Sequence, residues 1–373
     1  MKAQRWLWVS LLIGCSVAAQ AQRADGIYSI KCMVQMVDAP DGTRKADCTN
    51  HPRENGVIGI KGKIAFDVVT THELMDQEGA PEVTDLILFI DGQALPGTYP
   101  VVESTTTEKL PPGSGIIEEG GQEPDSVVTY RVTFTINRDL TSDKGRENWT
   151  KLLSGLGKNR KLVAVSLGLI NGPPLPSTYK AEFVRIKAKG LIVFLVVAVV
   201  LAIGFLGIAA RSGALRDKEP SPPGAAAIAP TARAYSLSRT QIALWTLLVV
   251  YAYLFIWFIT GEYNTVIPGT ILAILGISAG TYGTAAAIDK QKVADQHTTV
   301  ARSESLTSDL FVGADGADLH RVQFGLWSVV LMIVFVVTVY RTLAMPAFDN
   351  SLLGLMGISS AAYAGMKIPE KKQ

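Results

Sequence analysis

Residues 236–245 read SLSRTQIALW and residues 318–327 read DLHRVQFGLW. Each is followed by an apolar span, a short polar break and a second related run, ILGISAGTYGTAAAID at 274–289 and LMGISSAAYAGMKIPE at 355–370. The first runs pair Leu237 with Leu319, Arg239 with Arg321, Gln241 with Gln323 and Trp245 with Trp327 at a spacing of 82. The second pair Gly276, Ser278 and Tyr282 with Gly357, Ser359 and Tyr363 at a spacing of 81. The one-residue slip falls near the break, so each unit reads as a hairpin of two membrane helices, duplicated in tandem. A hairpin leaves and returns on one side, which gives the two copies the same orientation and makes the repeat parallel rather than inverted.

Outward from the repeat, the composition divides the chain. Hydrophobic residues make up 48% of the 373 positions but concentrate beyond residue 190, leaving a polar N-terminal half. The formal charge is +2, and Lys2 and Arg5 account for that excess, so the rest is neutral and offers no electrostatic case for nucleic acid. Residues 1–21 have the layout of an export signal: a basic start, an apolar stretch from Trp6 to Val17, and Ala19-Gln20-Ala21 as the cleavage site. Leu12-Ile13-Gly14-Cys15 supplies a competing reading, a lipobox with lipidation at Cys15.

Residues 22–188 are expected to form an exported, all-β, sandwich-like domain. Alternating or β-branched runs fall at 27–37, 57–69, 85–90, 127–136, 162–169 and 179–186, separated by Gly, Pro, Asn and Asp. Residues 86–92, LILFIDG, resemble a strand entering a tight turn as in many immunoglobulin-like modules, a likeness that covers one hairpin. A short helix is expected at 147–156, with Trp149 on its apolar face. Cys32 and Cys48 are the only cysteines after the signal, and in an oxidising compartment they read as a disulfide worth roughly 3 kcal/mol of loop-closure entropy; two free buried thiols are the alternative. His51, His72, His297 and His320 have no metal-ligand spacing with either cysteine, so no metal or other cofactor is expected. Two loops are candidates for recognition. Residues 103–126 carry Glu118, Glu119, Glu123 and Asp125, which lack the spacing of a calcium loop, and residues 171–176, NGPPLP, form a stiff turn.

The membrane half is expected to cross five times. A first helix at 189–211 is followed by a Pro/Ala-rich cytoplasmic linker at 212–235, a hairpin at 236–289, a cytoplasmic loop at 290–317, a second hairpin at 318–370 and a tail at 371–373. Lys290, Lys292, Arg302, Lys367, Lys371 and Lys372 satisfy the positive-inside rule for an exported N-terminal domain and a cytoplasmic C-terminus. The layout points to a bacterial inner membrane with a periplasmic or extracellular domain.

Within the hairpins, Gly276 and Gly280, and the related small residues around Gly357, are expected to let helices approach closely. The competing reading has Ser278, Tyr282, Ser359 and Tyr363 lining a polar path through an oligomer. Arg239 and Arg321 begin the hairpins on the side where Asp289 and Glu370 end them, and these charges either pair or meet lipid phosphates. Trp245 and Trp327 sit about one turn deeper than the arginines and read as interfacial anchors or packing residues. No Ser-His-Asp set, HExxH or phosphate-binding glycine loop can be assembled, so no enzyme is expected. The functional expectation is a membrane receptor or scaffold whose β domain recognises a protein or glycan, with the bilayer and a protein partner or homo-oligomer as its partners. The alternative is an oligomeric ion channel gated by that domain.

Overall fold

A computed structural model describes residues 29–38, 44–49, 57–71, 82–109, 126–177, 179–216, 229–263, 267–294, 303, 305–313, 316–317 and 319–366. The stretch read as an export signal, the 110–125 segment with its four acidic residues and the 367–373 tail lie outside them. The chain divides into two compact units, Met1–Ile186 and Lys187–Gln373.

The first unit is built on two five-stranded sheets. One has the order β2(Arg44–Thr49), β1(Ser29–Asp38), β4(Lys63–Thr71), β8(Ser126–Thr135), β7(Pro100–Lys109), with every neighbouring pair antiparallel. The other has the order β3(Val57–Gly59), β10(Lys180–Val184), β9(Arg160–Leu169), β5(Leu86–Ile90), β6(Gln93–Ala94), parallel only between β3 and β10. Alternation along the strands sends Phe66, Val68, Val132 and Phe134 from the first sheet, and Val165, Leu167, Leu88 and Phe183 from the second, into full burial. Phe66 and Phe134 meet edge to face at 6.2 Å.

The run expected as one strand at 57–69 is two. Lys61 takes a left-handed φ of 59°, and a side chain at Gly62 would stand 2.8 Å from the Gly59 carbonyl oxygen, so the chain turns tightly and β3 and β4 enter different sheets. Residues 103–109, expected within a loop, belong to β7, because Val and Thr suit an extended backbone and β8 supplies a continuous partner. Cys32 is buried on β1, and the register sets Cys48 opposite Val34, two positions along β1 from Cys32. Beside them Asp67 takes a bidentate pair of hydrogen bonds from Arg131 at 2.8 and 2.9 Å. That carboxylate raises the Arg131 pKa.

Helix α1(Asp143–Gly155) crosses from β8 to β9. Ser142 caps it by accepting from the Gly145 amide at 3.1 Å, and Gly145, Trp149, Leu152 and Leu153 bury one face at the spacing of an amphipathic helix.

The second unit is helical: α2(Ala188–Ser212), α3(Leu237–Thr260), α4(Gly269–Ala294), the short α5(Leu306–Phe311), α6(Leu319–Thr342) and α7(Asn350–Met366), with a two-residue pair of strands, β11(Val312–Gly313) and β12(Gly316–Ala317), after α5. Among the described residues four helices are long and apolar enough to cross a membrane: α2, α3, α4 over Gly269–Ile288, and α6. The protein is thus an N-terminal β-sheet region followed by helices of membrane-spanning length. The seventeen-residue α7 is not one of those four.

Helix α3 packs on α4 and α6, and α7 packs on α4 and α6, so the four form a closed bundle. Helix α2 lies against α3. A side chain at Gly190 would come within 2.2 Å of the Phe258 carbonyl oxygen, and Phe194 meets Phe255 edge to face at 5.2 Å.

Neither hairpin closes at the end of its first helix. The segment after α6 turns at Leu343, which has a φ of 52°, and buries Leu343, Met345 and Phe348. The Phe348 ring stands 6.5 Å from Trp245 and 6.4 Å from Phe335, and the Phe348 amide donates to Thr270 Oγ1 at 3.1 Å. Phe335 is seven residues short of the end of α6, so the chain descends about 10 Å before α7 begins. Helix α4 starts at the same height, because Thr270 is one residue into it.

Candidate functional site

In the β-sheet unit, a cleft of about 360 Å³ opens between the β5–β6 hairpin, the start of α1 and the turn after β9. Ile87, Phe89 and Ala94 form its apolar wall, residues 96–99 one rim, and Ser142, Lys144, Ile170, Asn171 and Gly172 the other. Tyr99 is 65% exposed and Ile170 44% exposed, so both present apolar surface to an incoming group.

The rims are held by local chemistry. Gly97 has a φ of +86°, and a side chain there would press on Asp139 Cβ at 3.1 Å. Thr98, buried, donates its hydroxyl to the Leu95 carbonyl at 2.6 Å. Asn171 sits at φ 65°, a conformation that asparagine tolerates better than most residues, and accepts from Lys144 Nζ at 3.3 Å. Asn148 Nδ2 donates to the Ala94 carbonyl at 2.9 Å, tying α1 to the hairpin. Behind Ser142, Asp139 accepts from the Ser142 hydroxyl at 2.5 Å and from the Thr141 hydroxyl at 2.6 Å, and these bonds hold its pKa down at about 2.

The cleft thus offers an apolar floor, an exposed aromatic ring, an ammonium group and a side-chain amide. Such a set binds a ligand by shape, stacking and a few directed hydrogen bonds. Of the two loops nominated from sequence, the turn beginning at Asn171 contributes to it. The hairpin rim at 94–99 and Lys144 carried no local signal, because residues from three distant segments meet only in the fold.

In the helical unit the sequence candidates fall into separate environments. Trp245 is fully buried and meets Phe335 edge to face at 6.2 Å, while Trp327 is half-buried. The Arg239 guanidinium lies over the Tyr282 ring at 4.9 Å. Arg321 donates to the Asp309 carbonyl at 3.4 Å, and Tyr363 stacks on Phe324 at 5.6 Å. The side chains of Asp289 and Glu370 lie outside the described residues.

Ser278 and Ser359 are 1% and 2% exposed, facing the interior of this chain's own bundle. The glycines do the opposite: a side chain at Gly276, Gly280 or Gly357 would meet nothing within 4 Å. The same holds at Gly283, Gly354 and Gly365, so these positions of α4 and α7 make no close helix contact among the described residues.

A polar layer crosses the bundle at the level of Ser278. Gln241 Nε2 donates to Ser328 Oγ at 2.6 Å, Gln323 Nε2 to Ser359 Oγ at 3.4 Å, and the Thr281 and Ser360 hydroxyls bond to each other. Gln241 Oε1, Ser278 Oγ and Trp245 Nε1 are buried without a partner among the described residues. The repeated glutamines were legible in sequence. That one of them crosses to the other repeat was not, because Ser328 corresponds to Thr246 and lies off the repeated face.

At the Arg239–Arg321 end, Asp309 on α5 accepts from Ser303 Oγ at 2.6 Å and from the Tyr235 amide at 3.1 Å. Leu237, Leu310, Phe324 and Tyr363 form an apolar cluster beside it. The segments flanking the bundle there are thereby knitted together, with Arg216 stacked on Tyr235 at 4.0 Å.

Among the described residues no group of three His, Cys, Asp or Glu side chains is placed to hold a metal ion. No protein family, curated protein or solved structure matches the chain.

Proposed function

We propose that the protein is a non-enzymatic membrane receptor or scaffold. Its β domain recognises a protein or glycan through the cleft between Tyr99 and Asn171, and its helices anchor that domain or relay the binding event. The observation that carries this reading is the cleft itself, which joins an exposed aromatic ring and an ammonium–amide pair on a rigid two-sheet scaffold. The reading includes an export signal at 1–21, a Cys32–Cys48 disulfide, a sandwich-like packing of the sheets and five crossings with α7 as the last. It places the domain on the periplasmic side of a bacterial inner membrane and the Asp309 assembly in the cytoplasm, where it offers a surface to an internal partner.

The test is a glycan array and an envelope-protein extract probed with the full-length protein in detergent, beside Tyr99→Ala and Lys144→Ala. Selective retention of one glycan or protein, lost in both variants while elution and melting are unchanged, is the expected result. Equal retention by the variants refutes the cleft as the site.

The unpartnered polar groups at Gln241, Trp245 and Ser278 support a second reading, an ion channel, since buried hydroxyls and amides within a bilayer call for water or ions. Ion flux through reconstituted protein that Ser278→Leu abolishes would favour it over the receptor.

A further inference from the structure

The four-helix bundle has two walls of unequal height. On α6, Arg321 and Arg341 are twenty residues apart and bracket about 30 Å of helix, the thickness of a bilayer's hydrocarbon core. Helix α7 runs antiparallel to α6 and starts far below the Thr342 end. Two separate contacts set its height. The stacking of Phe348 on Phe335 puts the chain about 10 Å below Thr342, and the hydrogen bond from Gln323 to Ser359 puts Asn350 level with residue 332, about 15 Å below it.

At that depth the chain exposes Asp349, Asn350 and Ser351. The Asp349 carboxylate is turned to its own backbone, accepting from the Ser351 amide at 2.7 Å, and makes no ion pair among the described residues. Beyond these residues the apolar part of α7, from 352 to 366, is fifteen residues or about 22 Å, too short for the core beside it. Helix α4 begins at the same height, so the α4–α7 side is low along its width. A carboxylate facing acyl chains near the middle of a bilayer is strongly disfavoured, whereas thinning the bilayer over a short wall costs little by comparison.

We propose that the α4–α7 side forms a hydrated notch, in which water and lipid headgroups descend from the Thr260–Thr342 end to Asp349 while α6 at the same height faces acyl chains. Its floor is the ring cluster of Trp245, Phe335 and Phe348, below which lies the polar layer of Gln241 and Ser278. The inference concerns the helical unit alone and is independent of what the cleft binds.

Single cysteines at Asn350, Ser351 and Ile333 test it. Ile333 is 57% exposed on α6 at the height of Asn350 and serves as the acyl-facing control. The full chain is reconstituted in phosphatidylcholine vesicles, a charged, membrane-impermeant maleimide is delivered to both faces by freeze–thaw, and labelling is counted above that of the unsubstituted chain. All three variants must elute as the parent does and label after denaturation in SDS. The expected result is labelling of Asn350→Cys and Ser351→Cys in the bilayer with none of Ile333→Cys. Protection of all three, or equal labelling of all three, overturns the notch.

Discussion

The two units differ in what they leave exposed and in the polar groups they add to an apolar interior. In the β-sheet unit Phe66, Val68, Phe134 and Leu167 are sealed inside, and Asp67 is met by Arg131 on the neighbouring strand. In the helical unit Ile192, Val200, Ile203 and Ile208 of α2 lie open, while Gln241, Ser278, Ser328 and Ser359 are hidden. The difference teaches which solvent each surface was built for. Water drives apolar groups inward, whereas in hydrocarbon an apolar side chain gains little by hiding and a polar one has nowhere else to find a partner.

The largest test of this contrast is Phe66→Ala, which should destabilise the β-sheet unit by about 4 kcal/mol, because removing a fully buried ring leaves a cavity. Thermal melting of the full chain in detergent would read it as a lowered transition for that unit; a melt unchanged within error would mean that Phe66 is not packed in a closed interior. Next is Val200→Asp, on the open face of α2, at a cost of about 3 kcal/mol for insertion at a helix centre. A glycosylation-based insertion assay should find the variant helix largely uninserted, and unaltered insertion would break the comparison by placing α2 outside the bilayer.

Gln241→Leu should change stability in lipid by only about 1 kcal/mol, since it removes one hydrogen bond to Ser328 and also one unpartnered oxygen. A loss as large as that of Phe66→Ala would show that the polar layer organises the bundle as a core does.

The smallest effect is on pH. The Asp139 pKa is lowered from an ordinary 3.8 to about 2 in the fold, so its contribution is complete above pH 4 and is lost as pH falls from 4 towards 2. With solvent screening at this partly exposed site, the loss is about 1 kcal/mol. Asp139→Asn should flatten that part of the stability profile, and an unchanged slope would place the acid sensitivity elsewhere.

Much of the architecture was legible because two kinds of local pattern carry it. Strand alternation marked β1, β4, β5, β8, β9 and β10, and long charge-free runs marked α2, α3, α4 and α6. Strand β7 was missed because a Thr-rich run with Glu and Lys looks like a loop until β8 is available to pair with it. The descent after α6 was not legible, since nothing in the segment from Leu343 to Asp349 announces that Phe348 will seat against Trp245.

The amino-acid order alone determined the division into a β-rich and an apolar helical half, because periodicity and charge-free length are properties of neighbouring residues. Tertiary structure decided that the cleft joins residues 99, 144 and 171, that Gln241 bonds to Ser328 and that α4 and α7 start below their neighbours. Those facts depend on which segments meet in space, and packing between residues dozens of positions apart leaves no local signature.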